Sequence, residues 1–528
     1  MKPPRTINRR SPPPAPAAGL PAVAPVEPPE AQDLTPVPMM MGTAFLLTGL
    51  IITGLTLRGK FPSGVAFYAA IGVAISIGLS ALVDLRRGFS NLIRPDLMAI
   101  LALYFLTLFE FLFRQPHFDD LVGGDLVSVK RAIIACLWGF AGLAIGRHLA
   151  NPRKHPLSDL FTRPVPKAWV ILIFWSSIFL GFFYMLLTVN FNPVLLVEYL
   201  VAPRFAQPWG RPRLGDWKAL LHEIEMLIFL APPLAGIIMA RRRAYGKIQT
   251  GLVAAGFFFV LFYGFASGTR NVLASYLVTF LIGYCFASDA EKKKELMVVA
   301  ASCAVGFFFA SVLMLRFREV GLQDYINGNY YTDETEEQTL FIDYNLYSIY
   351  RLVQVFPKEH GFLGWEIPYL AFIRPIPRAL WHGKPEGMSL SIEDALGVQG
   401  LTVSASFVGE AYMSGGFFVV LLTGLFFGFA AGWWGSLASP RNSEFGILTY
   451  ASGFFAAVIS MRSMLVFTTA LLPTAISIAA GYLILNRVRE RKGPARPGKE
   501  IDPRVSLPAP PPPAAKPREK VRARWFTR

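Results

Sequence analysis

Charged residues and cysteines are scarce in this chain of 528 residues: Asp, Glu, Lys and Arg together make up 16% of it, and there are three cysteines. A soluble protein of this length would fold into several domains with charged surfaces between their cores, which so few charges do not supply. Cys136, Cys285 and Cys303 all lie within apolar runs, which argues against a disulfide framework and offers no metal-ligand spacing.

Nucleotide and metal motifs are missing as well: the sequence has no P-loop, no GxGxxG after a strand, no HExxH and no DxD. These absences argue against nucleotide-driven chemistry, and we predict no cofactor, no metal and no nucleic-acid partner. The net charge of +16 is no sign of such a partner, because most of it lies in the two terminal tails.

Long apolar runs recur through the chain, and each is long enough to cross a hydrocarbon core of about 30 Å. They lack the polar faces of buried helices in a soluble protein, so we predict an all-α polytopic membrane protein with about twelve transmembrane helices. The predicted spans are 39–57, 64–83, 97–113, 131–149, 168–188, 219–240, 249–266, 271–287, 297–315, 415–437, 445–461 and 466–486. Gly424, Gly428 and Gly432 form a small-xxx-small face typical of close helix packing.

These spans divide the chain into five segments. A Pro/Ala-rich tail covers 1–37, spans one to nine cover 38–315, a long outer loop covers 316–414, spans ten to twelve cover 415–486, and a basic Pro-rich tail covers 487–528. Lys and Arg concentrate in the short loops Arg241–Arg243 and Lys292–Lys294, which places both termini in the cytoplasm and the long loop outside. In that loop, Leu340, Phe341, Tyr344, Tyr347, Tyr350 and Val353 recur near helical spacing and predict an amphipathic helix on the membrane or over a cavity.

Several cationic residues face outward in this topology, against the usual bias, and therefore need a reason. Snorkelling to the headgroups is the simple explanation, and it suits residues at the ends of spans. Residues in tight turns instead stand over the mouth of the bundle, where guanidinium groups can bind phosphate with two parallel hydrogen bonds. We predict a diphosphate-binding set made of Arg204, Arg211, Arg270, Arg374, Arg378, Lys384 and Arg462.

Candidate acids and bases are fewer. His382 is the histidine nearest the arginine-rich stretch FIRPIPRALWHGKP, Glu410 stands just before the tenth predicted span, and Glu223 opens the sixth. Each has a simpler alternative: an incidental loop histidine for His382, and acidic residues favouring a helix terminus for the two glutamates. We predict that one of these three is the catalytic base.

Three stretches resemble the bacterial Wzy-type O-antigen polymerases, also called oligosaccharide repeat unit polymerases. They are ASGTRNVLASYLVTFLIGY, FIRPIPRALWHGKP and SFVGEAYMSGGFFVVLLTGLFFG, in an order that is similar to the family's, with the long loop before the last three spans. Arg204 and Gly215 are similar to one arginine-rich family motif, whereas the second loop has no equal spacing.

The resemblance implies a GT-C-like lipid-linked glycosyltransferase in the bacterial inner membrane, with its long loop in the periplasm. It would polymerise oligosaccharide repeat units carried on undecaprenyl diphosphate into O-antigen or exopolysaccharide. Implied partners are the lipid-linked oligosaccharide, membrane lipids, a chain-length regulator and a flippase. Two alternatives stay open: an O-antigen ligase, which would use the same donor, and a polysaccharide or lipid-linked oligosaccharide transporter.

Overall fold

The computed structural model describes residues 36–113, 115–150, 155–203, 206–209, 221, 223–288, 293–317, 321–328, 345–376, 381, 383–385, 387–396, 404–439 and 442–491. Within these ranges the chain forms helices and turns and no strand. Both predicted tails, with the exception of 36–37 and 487–491, lie outside the described residues. The all-α fold class is therefore confirmed for the part of the chain described.

Fourteen helices carry the fold. Helices α1 to α14 span, in order, Met40–Leu55, Pro62–Leu85, Pro95–Thr107, Leu126–Gly146, Lys167–Thr188, Glu225–Ala240, Lys247–Ala266, Arg270–Ala287, Lys293–Phe317, Asn345–Val355, Glu366–Ile373, Ser406–Gly435, Glu444–Arg462 and Leu472–Arg491. Shorter helical segments span Phe89–Leu92, Phe109–Leu112, Pro116–Val122, Ser158–Thr162, Pro193–Val201, Arg242–Tyr245, Leu322–Ile326, Ile392–Leu396, Met464–Val466 and Phe467–Ala470. The chain divides into two units after Ala479, and the second unit continues α14 as far as Arg491.

Nine of the described helical stretches are long and apolar enough to cross a membrane, and α1, α3 and α6 are shorter apolar helices. The protein is therefore a multi-pass membrane protein. Helix α9 shows why a lipid environment is required: Val298, Val305 and Phe309 are all more than half exposed on it. Side chains of this kind would form a large apolar patch in water.

Helices α4 and α12 pack closely through glycines on both sides. A Cβ atom added to Gly142 would come within 2.8 Å of the Cα atom of Gly424, and one added to Gly432 would come within 2.6 Å of the Arg147 carbonyl oxygen. Since backbone faces backbone here, no side chain can be accommodated without moving the helices apart. The predicted packing role of the glycine face is confirmed.

A buried cluster of four charged side chains joins the ends of α2, α3 and α4. Arg94 donates to Asp84 at 2.7 Å and, through Nε, to Asp96 at 3.0 Å, while Arg147 Nη1 lies 3.6 Å from Asp96 Oδ2. Thr43 of α1 accepts hydrogen bonds from Arg147 Nε at 3.0 Å and from its Nη2. All four charged residues are at most 2% exposed, so two positive and two negative charges neutralise each other inside the protein.

The same end of the bundle carries the basic loop. Arg241, at the end of α6, pairs with Glu444, at the start of α13, at 3.1 Å, and Tyr245 donates to the same carboxylate. The ends of α2, α4, α6 and α12 and the starts of α1, α3 and α13 therefore lie at one end, which we call the basic end. The opposite end holds the start of α12 and the end of α13, and we call it the Glu410 end.

Gly415 and Gly416 lie at the predicted start of the tenth span and divide α12 into two helical stretches, with non-helical dihedral angles between them. Gly416 has a φ of 68°, which a side chain would disfavour. The rings of Phe407 and Phe427 lie 5.4 Å apart, so the stretch from Ser406 to Ser414 folds back beside the stretch that follows the glycines. The second stretch begins where the sequence predicted the tenth span, and the first is a helix within the segment predicted as a long loop.

The long segment before α12 is partly folded into the bundle. Helix α10 places Leu346, Ile349 and Leu352 in the main hydrophobic core, where each is fully buried. A helix is thus present where its spacing predicted one, and the face that carries these residues packs against protein. Leu340, Phe341 and Tyr344 of the predicted apolar face lie outside the described residues.

Candidate functional site

The turn after α13 is held by a carboxylate from another helix. Arg462 ends α13, Ser463 is extended, and a short 3-10 segment follows at Met464–Val466. Glu410, in the first turns of α12, accepts hydrogen bonds from Ser463 Oγ at 2.5 Å, from Met464 N, and from Leu465 N at 3.3 Å. Glu410 thereby satisfies amide groups that a helix start leaves without intrahelical partners.

Glu410 is only 3% exposed, and both of its oxygen atoms accept hydrogen bonds. Three donors fill most of the roughly four acceptor positions of a carboxylate. A general base needs an oxygen directed at the proton that it removes. The geometry therefore favours Glu410 as a positioning residue for the Arg462–Leu465 turn.

Two further predicted cations are close to this turn. Arg374 directly follows α11, which packs against the Met464–Val466 segment of this turn. Lys384 Nζ donates to the carbonyl oxygens of Arg374 at 2.9 Å and of Ile376 at 2.8 Å, which fixes the chain that leaves α11. Arg374, Lys384 and Arg462 are thus brought together, and we call these three residues with Glu410 the cationic cluster.

Hydrogen bonds tie the supporting segments to one another. Thr468 Oγ1 donates to the Ala371 carbonyl in α11, and Ser404 Oγ donates to the Arg462 carbonyl at 3.1 Å. Just before α11, the backbone amides of Leu363 and Gly364 donate to the carbonyls of Met413 and Ser414 in α12, both at 2.9 Å. These bonds position α11, the start of α12 and the end of α13 relative to each other.

Arg270 lies at the Glu410 end of the helix beside α13. It is the first residue of α8, six residues before Tyr276, while Arg462 comes seven residues after Phe455 in α13. The rings of Tyr276 and Phe455 both contact Phe229, with centroids 5.0 Å and 3.8 Å from it. At about 1.5 Å per residue, Arg270 and Arg462 therefore stand about 9 and 10 Å beyond one common layer of aromatic rings.

Glu223 is half-buried just before α6. Its neighbour Glu225 accepts a hydrogen bond from Tyr263 at 2.6 Å, so that glutamate belongs to the packing between α6 and α7. The role of Glu223 as a base stays a prediction. His382, Arg378, Arg204 and Arg211 lie outside the described residues.

The described residues hold no group of three or more His, Cys, Asp or Glu side chains arranged to bind a metal ion. What the cationic cluster offers is positive charge held by a hydrogen-bonded framework. Guanidinium and ammonium groups of this kind suit phosphate oxygens, and Arg can bind them with two parallel bonds.

Sequence analysis missed the residues that build the framework. Ser404, Ser463 and Thr468 are common polar residues in apolar surroundings, and their partners are 58, 53 and 97 residues away. The buried charges of Asp84 and Asp96 were missed too; Asp96 stands in the first turn of α3, where a solvated acid is equally typical. The signal available in the sequence was the position of Arg94 between Asp84 and Asp96, which could have indicated an ion-pair cluster.

No protein family, curated protein or solved structure matches this chain. The functional proposal therefore depends on the residues and contacts described above.

Proposed function

We propose that this protein is a lipid-linked glycosyltransferase that polymerises oligosaccharide repeat units carried on undecaprenyl diphosphate. The reaction transfers the growing chain from its lipid carrier to a hydroxyl group of the next unit. The carbon–oxygen bond to the diphosphate breaks, a new glycosidic bond forms, and the acceptor hydroxyl loses its proton. The product is O-antigen or exopolysaccharide.

The observation that carries this proposal is that α11, which leads into Arg374, packs against the Glu410-held turn after Arg462, and that Lys384 bonds to the Arg374 carbonyl beside it. A departing diphosphate develops negative charge, and preorganised cations stabilise that charge without having to reorganise. Glu410 keeps the turn after Arg462 in place through its three hydrogen bonds.

The acceptor hydroxyl needs a base, and Glu410 has too many donors around it for that role. His382 follows the arginine-rich stretch by sequence and precedes Lys384 by two residues, so it becomes the first candidate base. Glu223 is the second. In this assignment Glu410 acts through Arg462 and Arg374.

The side of the membrane follows from the distribution of charge. Arg241, Arg242 and Arg243 mark the basic end, opposite the cationic cluster. Loops rich in Lys and Arg stay in the cytoplasm, so the cluster would face the periplasm of the inner membrane, with both termini in the cytoplasm. The repeat units are exposed on that face after a flippase has moved them.

The test is elongation of a lipid-diphosphate-linked oligosaccharide by the purified protein. Arg374→Ala and Arg462→Ala are each expected to lower kcat about 100-fold, the usual cost of removing one transition-state donor. Arg163→Ala is the matched control, because Arg163 is 56% exposed and pairs with Asp159 in the same helix turn. It should retain full activity.

Normal polymer from both arginine variants, inserted at normal levels, would refute the proposal. A deletion strain separates the polymerase from the ligase alternative. Loss of a polymerase leaves a single repeat unit on the lipopolysaccharide, whereas loss of a ligase leaves none. Uptake of a lipid-linked oligosaccharide into vesicles without elongation would instead favour a transporter.

A further inference from the structure

An apolar groove lies among helices α3, α12 and α13. It has a volume of about 290 Å³ and is lined by α3, α12, α13 and the stretch from Phe467 to Ile478. Small side chains such as Ala430 and Ala457 leave the space open, and its walls are almost wholly apolar. Because α12 and α13 are membrane-spanning helices, what surrounds this groove is lipid and not water.

The groove reaches the site at one end. Met461 and Phe467 line it, and they stand on either side of the Arg462–Val466 turn that Glu410 holds. At the other end Trp434 closes it, with its indole packed on Gly453 and donating to the Tyr450 carbonyl at 3.0 Å. From Gly453 to Met461 the groove runs along about 12 Å of α13.

We propose that this groove holds the isoprenoid tail of the carrier lipid whose diphosphate binds the cationic cluster. The inference rests on the proposed function, since it takes the phosphate position from Arg374 and Arg462. A lipid bound there by its phosphates must lead the first carbons of its tail past Met461 or Phe467. Both side chains open directly into the groove, so head group and tail are recognised by one continuous surface.

The groove selects a tail by shape. In a bilayer, moving a tail from lipid into protein gives no hydrophobic gain, and the contribution comes from packing. Trp434 closes one end of the groove and so limits how much of the isoprenoid tail enters. The groove therefore orients the first part of the tail and leaves the remainder in the bilayer. We therefore expect it to affect KM for long-tailed donors more than kcat.

The test uses a polyisoprenyl diphosphate with a photoreactive group in its tail, added to the purified protein in phosphatidylethanolamine nanodiscs. Labelling should map to α12 and α13 at residues that line the groove, and unlabelled undecaprenyl diphosphate should compete for it. Ala457→Phe fills the groove from α13, and Ala430→Leu fills it less from α12 in case the larger side chain prevents folding. Each should weaken labelling about tenfold, the low end of what one misplaced group costs in an apolar pocket.

Ala301→Phe is the matched control, because Ala301 lies on the exposed face of α9, outside the groove. It should leave labelling unchanged. A photoreactive phospholipid that labels the same residues equally well, or labelling that survives both groove variants, would overturn the proposal.

The two proposals fail in different ways. Suppose that elongation depends on Arg374, but Ala457→Phe neither raises KM nor weakens labelling. The groove assignment is then wrong, and the glycosyltransferase assignment stands. If the groove is labelled specifically and the protein elongates nothing, it binds the carrier lipid for another purpose. The groove proposal then holds without the proposed reaction.

Discussion

Replacing Asp96 by Asn should destabilise the protein more than any conservative substitution on its surface. Asp96 accepts from Arg94 Nε at 3.0 Å and from Arg94 Nη2 at 3.1 Å, and Arg147 lies 3.6 Å away. The substitution keeps the size of the side chain but removes one of two negative charges. Two guanidinium groups would then share the single carboxylate of Asp84 in a site that excludes water.

Breaking a buried ion pair by removing one partner costs about 3–5 kcal/mol, because the remaining charge is left without compensation. At about 1.4 kcal/mol for each factor of ten, the lower value already changes the unfolding equilibrium more than 100-fold. Removing both Arg94 and Asp96 leaves Arg147 and Asp84 with balanced charges, 3.9 Å apart. The double variant Arg94→Met with Asp96→Leu should therefore lose less stability than Asp96→Asn alone.

The free energy of unfolding can be measured by titrating the purified protein with SDS in mixed micelles. Asp159→Asn is the control, since Asp159 pairs with Arg163 on the surface and is 85% exposed. Exposed pairs contribute about 0–1 kcal/mol. If Asp96→Asn and Asp159→Asn prove equally mild, or if the double variant is the least stable of all, charge balance does not hold the helix ends together.

Three further changes have defined outcomes. Glu410→Gln should keep much of the elongation activity, because the amide oxygen can still accept the hydrogen bonds from the backbone amides of Met464 and Leu465. Glu410→Ala should abolish the activity. If the two variants are equally inactive, Glu410 is the catalytic base after all. Gly142→Val should separate α4 from α12 and cost about 1–3 kcal/mol, with Gly78→Val, which meets no atom within 4 Å, as its control in the same SDS titration. Burial against Trp433 lowers the pKa of His155 to about 4 from an ordinary 6.5, so its contribution to stability is intact above pH 6.5 and is lost as the pH falls toward 4. His155→Gln should flatten thermal stability over that pH range, and an unchanged pH profile would contradict the assignment.

The helices were predictable because each apolar run carries its own signal. The thickness of the hydrocarbon core sets the length of a spanning helix, so each span can be recognised from its own sequence without knowledge of its partners. The helix Ser406–Ser414 was beyond that reasoning, since it is too short to span a membrane and carries Ser406, Glu410 and Ser414. What makes Ser406–Ser414 helical is its packing against α10, which comes from a distant part of the chain.

The candidate site could be predicted only in its charges. Arginines outside the positive-inside pattern stand out in a sequence, and Arg374 and Arg462 do lie next to segments that pack together, since α11 packs against the turn that follows Arg462. The role of Glu410 could not be read from the sequence, because a base and a helix cap are both ionisable groups near a helix start. Their difference is the set of donors that fold around the carboxylate, and those donors are backbone amides 54 and 55 residues away.

The depth of the site follows from the shortness of α3. Its 13 residues span about 20 Å, less than a hydrocarbon core of about 30 Å. Asn345 donates to the Leu106 carbonyl near its end at 2.9 Å, and α10 continues from there inside the same hydrophobic core. Backbone that is not a spanning helix can exist at membrane depth only where protein covers it. Because α10 packs beside the start of α12, the turn at Glu410 is recessed among helices, where charges act through less water and bind a phosphate more strongly.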